Sequence, residues 1–234
     1  MDGPLGTNAT SRCTGGAIIN GISSHAFFRA LPQSAARRLA RVAASSTARA
    51  GEILDRAGEK SAHVSLLHEG FAVATAMSAG GKATTLQAFG PGEMWGCVPH
   101  LLGRPLSVDV RAVVDVRLSK IPISALEDAL GEHPAACRAL AVNIARQFSR
   151  LAQLHLLGVE RSDRRICGIL LWIKESSGLR VPLTQALLAT LSGTTEETVS
   201  RVLSPLKRRA IVSRSRGVVE ILDPAGLKRI LESR

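Results

Sequence analysis

Five polar side chains in the last third of the chain fall on one line. Glu197, Ser200, Arg201, Ser204 and Arg208 recur at i, i+3, i+4, i+7 and i+11, a spacing that places them on one face of an α-helix. Val199, Val202, Leu203 and Leu206 occupy the opposite face and supply the stripe that seats such a helix on a core. An arginine donates a fork to guanine, a carboxylate accepts from the cytosine amine, and Lys or Arg neutralises phosphate. An apolar back with donors and acceptors in front is what a helix needs to read a DNA groove. The same spacing also suits a surface helical hairpin with solvated charges, so the neighbouring elements decide between the two.

Leu187, Leu188 and Leu191 predict a short helix just upstream, and Ser192-Gly193-Thr194-Thr195 breaks it. Gly193 admits a positive φ, and Thr194 or Thr195 can cap the helix that follows. Pro205 removes a backbone donor, which predicts a bend or an early end there. Further upstream, Ser162 or Asp163 is expected to cap a helix with Ile166, Ile169, Leu170 and Ile173 on its apolar face. That helix stops near Ser177-Gly178, and a short strand is expected at Val181 to Leu183. Downstream, Ile211-Val212 and Val218-Val219-Glu220-Ile221 flank the basic tip Ser213-Arg214-Ser215-Arg216-Gly217. This predicts a β-hairpin whose arginines meet phosphate. A helix over Pro224 to Leu231 closes the unit.

The first 160 residues have another texture. Residues 1–23 are rich in Gly, Thr, Asn and Ser and are expected to be flexible. Two short helices around Pro32 follow, the second carrying Arg37, Arg38 and Arg41. From Ala50 to Lys120, short alternating segments are punctuated by glycine: Val64 and Leu66, Phe71 and Val73, Val108 and Val110, and Val114, Val116 and Leu118. Gly80-Gly81 reads as a hairpin tip, and the density of strands implies a small antiparallel roll. A short helix over Pro122 to Leu130 precedes a long one from Pro134 to about Leu157. Cys137, Ile144 and Leu151 recur every seven residues, with Leu140, Phe148 and Leu154 alongside. Such a seam predicts a parallel homodimer, or else packing on the roll of its own chain. Gly158 is the expected hinge.

The chain of 234 residues has a net charge of +11, which calls for an anionic partner. The charge is uneven: residues 161–234 hold 14 Lys and Arg against 7 Asp and Glu, and the preceding residues hold 16 against 12. Cysteines at 13, 97, 137 and 167 form no C-x-x-C pair, so the residues give no zinc site or disulfide framework and point to a reducing cytoplasm. Neither a secretory leader nor an apolar run long enough to cross a bilayer is seen, so no membrane partner is expected. His63, His68 and His133 read as surface residues. The sequence has no P-loop, no G-x-S-x-G and no H-E-x-x-H, which leaves an enzyme reading without support.

A roll, a long helix, a hinge and a winged helix-turn-helix, in that order, resemble the Crp/Fnr family of bacterial transcription regulators. The resemblance rests on Thr194-Thr195-Glu196-Glu197-Thr198-Val199-Ser200-Arg201-Val202-Leu203, and on Gly51-Glu52-Ile53-Leu54, Gly58, Gly70 and Phe89-Gly90-Pro91-Gly92-Glu93. It implies an α+β fold with a flexible N-terminus at 1–23 and a β-roll sensor domain of the cyclic-nucleotide-binding kind at 24–133. A dimerisation helix and hinge would span 134–158, and a winged helix-turn-helix 159–234. Glu196 departs from the base-reading arginine of the Crp branch. Glu197, Ser200 and Arg201 match the set of the Fnr-like branch, which implies an inverted repeat of TTGAT-like half-sites. Thr194, Thr195, Lys207, Arg208, Arg214 and Arg216 complete the implied DNA face. Double-stranded DNA is the implied partner, and RNA polymerase a further one.

The resemblance leaves the effector open. Members that bind cyclic nucleotides hold the ribose with a glutamate and the phosphate with an Arg-Ser pair. The matching positions here are Cys97, Leu106 and Ser107, and the adenine-facing pair maps near Arg150 and Leu151. A phosphodiester without an arginine is poorly paired in a desolvated site, unless Arg104 takes that place. A haem-containing member places its ligands near Cys97 and His100, so haem or a redox thiol stays open beside a regulator with no bound effector. An iron–sulfur cluster needs three closely spaced N-terminal cysteines, and Cys13 stands alone there. A sensor module that binds protein instead of DNA is the remaining alternative.

Overall fold

The structure, a computed structural model, describes residues 25–77, 83–158 and 160–233. The expectations for residues 1–23, Cys13 and the Gly80-Gly81 tip lie outside the described residues. In chain order the elements are α1 (Ala26–Arg29), α2 (Gln33–Val42), β1 (Ala44–Ala48), β2 (Ile53–Asp55), β3 (His63–Glu69), β4 (Ala72–Met77), β5 (Ala83–Phe89), β6 (Met94–Trp95), α3 (Cys97–Leu101), β7 (Asp109–Ala112) and β8 (Val116–Pro122). Then come α4 (Ile123–Glu132), α5 (Pro134–Gly158), α6 (Ser162–Ser177), β9 (Arg180–Val181), α7 (Gln185–Leu191), α8 (Glu196–Arg208), β10 (Val212–Ser215), β11 (Val218–Ile221) and α9 (Pro224–Glu232).

The roll is two antiparallel sheets ordered β1-β8-β3-β6 and β2-β7-β4-β5. Their inner faces meet through Leu67, Ala72, Ala74, Phe89, Trp95, Val110, Ala112, Val116 and Leu118. The outer face of the first sheet buries Val64, Leu66 and Ile121 under α1, α2, α4 and the start of α5. Strand β3 is therefore buried on both sides, which is why its apolar residues run together at Leu66-Leu67 instead of alternating strictly. Gly70 turns β3 into β4 at φ +88°, and a Cβ there would lie 2.3 Å from the Asp115 carbonyl oxygen, so the turn excludes every larger residue.

The C-terminal unit has its own core. Ile166, Ile169, Leu170 and Ile173 of α6 pack with Leu188, Val199, Leu203, Leu206, Val219 and Leu227. Phe71, Val73 and Ala88 of the roll join this core, so apolar contact continues across the expected hinge. The third sheet, β10-β11-β9, pairs Ser215 with Val218 across the tip Arg216-Gly217.

Several local expectations are corrected. Helix α6 is capped by neither Ser162 nor Asp163: its N-cap is Arg161, with no side-chain cap hydrogen bond, and Asp163 instead sits 3.5 Å from the Arg161 guanidinium. Pro205 does not end α8, which continues to Arg208 with the Arg209 N–H donating to the Pro205 carbonyl at 3.1 Å. Leu206 behind it is buried, and that tertiary contact holds the last turn against the proline's local preference. The short helix extends to Glu132. The histidines are not bare surface groups: His63 bonds Asp55 at 3.0 Å, His68 bonds the Ser119 hydroxyl at 2.7 Å, and His133 lies 3.6 Å from Glu132.

The expected seam on α5 divides. Leu140, with Ala136, is buried on the roll, and Ile144 is half-buried. Cys137, Phe148 and Leu151 stay exposed, Phe148 to 70%. Ala136 and Leu140 face the sheet, Cys137 is turned about 100° from Ala136, and Leu151, only about 20° around from Leu140, lies about three turns further along the helix.

Candidate DNA-reading face and the roll pocket

Helix α7 begins at Thr184, whose hydroxyl accepts from the Leu187 N–H at 3.1 Å. It ends at Ser192, and Gly193 takes φ +57°. Thr195 then caps α8, accepting from the Thr198 N–H at 3.2 Å. Thr195 thus orients the helix, and the Thr194 N–H is spent on the Ala189 carbonyl at 2.9 Å. With Val199, Leu203 and Leu206 buried, Glu197, Arg201, Ser204, Lys207 and Arg208 are exposed and Ser200 is half-exposed. The Ser204 hydroxyl folds back to the Ser200 carbonyl at 2.7 Å.

Arg216 is exposed at the wing tip and Arg214 lies partly covered on β10. Together they border a cleft of about 190 Å³ that Thr184 and Gln185 also line. Among the described residues no ion pair engages Arg201, Lys207, Arg208, Arg214 or Arg216. Elsewhere many cations are neutralised: Arg38 by Glu132, Arg117 by Glu69, Arg150 by Glu93, Arg164 by Glu160 and Arg229 by Asp223. Unneutralised arginines beside a helix of exposed polar ends give a face suited to phosphate and base edges.

The five residues singled out in the roll do not come together in this way. Cys97 is buried among Phe27, Leu31, Met94 and Leu126, on the helical side of the sheet rather than in the roll interior. Burial pushes its thiol up to about 12, so the uncomplexed thiol is protonated at neutral pH. His100 turns to Glu127 at 3.0 Å. Leu106 is buried and exchanges backbone hydrogen bonds with Gly58 and Glu59 at 2.7 and 3.0 Å. Arg104 and Ser107 are exposed. Neither the cleft beside the wing nor a larger groove of about 410 Å³ beside α5 is lined by any of the five. Among the described residues no group of three His, Cys, Asp or Glu side chains is placed to hold a metal.

The roll interior itself is occupied by Phe89 and Trp95, whose rings lie 5.0 Å apart. The Trp95 indole donates to Asp55 at 2.6 Å. Burial raises the Asp55 carboxyl, but hydrogen bonds from His63 and Trp95 and the nearby Lys120 outweigh it, so the group titrates below its ordinary value. Cys97 and Leu106, at the positions matched to the ribose- and phosphate-holding residues of members that bind cyclic nucleotides, are buried and uncharged. Sequence reasoning missed the Asp55–His63–Trp95 cluster. Its members are 8 and 40 residues apart, and no local spacing signals it.

Residues 46–133 match the cyclic nucleotide-binding domain family, and residues 164–230 match the Crp-like helix-turn-helix domain family. The cyclic AMP receptor protein of Thermus thermophilus is 31% identical over 153 residues, covering 64% of this chain and 71% of that protein. The chain belongs to the Crp/Fnr family of transcription regulators. The HTH-type transcriptional regulator Cmr of Mycobacterium tuberculosis is 28% identical over 138 residues, or 59% of this chain; the match spans only 56% of that relative's length. The structure of FixK2 from Bradyrhizobium japonicum shares the fold, with a TM-score of 0.72 at 21% identity over 82% of this chain and 99% of that one. The antiparallel roll and helix-turn-helix are the α+β architecture of this family. Among the described residues no helix is long and apolar enough to cross a membrane.

Proposed function

We propose that this Crp/Fnr-family chain acts as a cytoplasmic homodimer that binds double-stranded DNA and regulates transcription. The observation that carries the reading is α8: its back is buried, its front is exposed, and among the described residues Arg201 makes no ion pair. Arg201 takes a guanine, Glu197 a cytosine amine and Ser200 a neighbouring base edge. Lys207, Arg208, Arg214 and Arg216 neutralise phosphates, and Thr194 and Thr195 set the entry of the helix. The target is an inverted repeat of TTGAT-like half-sites about one helical turn apart.

The dimer forms along Cys137, Ala141, Ile144, Phe148 and Leu151 of α5, which alternate by four and three residues and leave Phe148 exposed in the single chain. Residues 24–133 serve as the sensor, 134–158 as the dimer helix and hinge, and 159–234 as the DNA-binding unit. RNA polymerase meets the assembly at promoters. The Arg150–Glu93 ion pair and the hydrogen bond from Gln147 to the Met94 carbonyl at 2.5 Å tie α5 to the roll. A signal at the roll reaches the spacing of the two recognition helices through these ties.

Fluorescence anisotropy of a labelled duplex tests the reading. A TTGAT inverted repeat binds more tightly than a scrambled duplex, and both affinities fall steeply with salt. Equal affinity for the two duplexes at every salt concentration would sink the sequence-reading claim. Mild oxidation tests the dimer: a parallel seam brings two Cys137 side chains together, so a covalent dimer forms that Cys137→Ser abolishes and Cys13→Ser does not. A cross-link independent of Cys137 would contradict the seam.

A further inference from the structure

A groove of about 410 Å³ runs between α1, the Gly92–Glu93 turn and one side of α5, within the size range of small-ligand sites. The residues that α5 gives to it include Ala135, Arg138, Ala139, Val142, Arg146 and Arg150, spaced as one helical stripe. This stripe lies on a different side of α5 from the Cys137–Phe148 seam, so the proposed seam does not use its residues. Its floor is apolar, built from Phe27, Ala30, Ala139 and Val142. Its charge is not balanced. Three guanidiniums line it against one carboxylate, Glu93, which is already held by Arg150 and by the Gly90 N–H at 2.6 Å. His25 adds no cation at neutral pH: burial pushes its imidazole down to about 4. Its ring bridges the Phe27 N–H at 3.2 Å and the Gly92 backbone, fixing α1 against the turn that carries Glu93.

We propose that this groove binds a small organic anion: one acidic group on an apolar body. The acidic group sits between Arg146 and Arg150, which stand one helical turn apart, and accepts their forked donors. The body lies on Ala139, Val142 and Phe27. Such an anion competes with Glu93 for Arg150, and so acts on the tie between roll and long helix rather than in the roll interior. Its effect on DNA rests on the proposed function, but the site itself does not.

The test is a fluorescence titration of the full chain with 1-anilinonaphthalene-8-sulfonate, a sulfonate on an aromatic body. One dye per chain binds saturably. Arg146→Gln weakens binding about tenfold, the loss expected for one charge-assisted contact, and Arg138→Gln/Arg146→Gln weakens it further. Val142→Glu, a change at an exposed position, also expels the dye. An uncharged naphthalene dye of similar size binds the wild type and the arginine variants alike. Equal sulfonate binding by wild type and all variants, with far-UV circular dichroism unchanged, would overturn the site, as would absence of saturable binding. The anisotropy experiment is run without dye, so either result can fail alone.

Discussion

The α7–α8 pair and the roll differ in how they place their polar residues: α8 gathers them on one exposed face, and the roll disperses them. In α8 the five polar residues share one helix, so a 100° step per residue fixes their relation before any tertiary contact forms. Folding only had to seat Val199, Leu203 and Leu206, and these are buried. The pocket residues Cys97, His100, Arg104, Leu106 and Ser107 sit on a short helix and the loop after it, where no period fixes direction. Cys97 went into the core beneath α1 and α4, and His100 turned outward to Glu127. A site written on one regular element is legible in sequence; one assembled from loops depends on contacts that the local pattern does not encode.

The comparison can be broken first at the helix back. Leu203→Ala empties a fully buried position and costs about 2–5 kcal/mol of stability, measured by urea denaturation. A loss under 1 kcal/mol would mean that the stripe does not position the reading face.

The roll has its own test at His25. Its folded imidazole titrates at about 4 against an ordinary 6.5, so the unfolded chain takes up a proton first as pH falls. The sign follows: the contribution is fully present above 6.5 and is lost as pH drops toward 4. It amounts to roughly 3 kcal/mol at most. The slope of stability against pH in that window should flatten in His25→Asn, and an unchanged slope would place the titration elsewhere.

The smallest effect belongs to the wing. Arg214→Ala should weaken specific and random DNA alike and reduce the salt slope by about 1. A sequence-dependent loss would move Arg214 from the phosphates to the bases.

The same distinction explains the rest of what the sequence revealed. The strands Val64–Leu66 and Val116–Leu118, the turn at Gly193 and the cap at Thr195 were readable because each rests on neighbours within a few residues. At Pro205 the helix does not end early, because burial of Leu206 overrides the proline's local preference. Along α5 the expected seam divides: Leu140 belongs to the roll and Ile144 packs against the same cluster, while Cys137 and Leu151 are exposed. The Asp55–Trp95 bond and the groove at His25 escaped notice because their members meet only after the two sheets and α5 have closed on one another.

The central claim is that α8 reads bases through Arg201. The most direct measurement is the affinity of Arg201→Ala, relative to wild type, for a TTGAT inverted repeat and for a scrambled duplex at one salt concentration. The account predicts a loss of about 1–3 kcal/mol per reading contact on the repeat and a far smaller one on the scrambled duplex. Equal losses on the two duplexes would make Arg201 one more phosphate contact and contradict the claim.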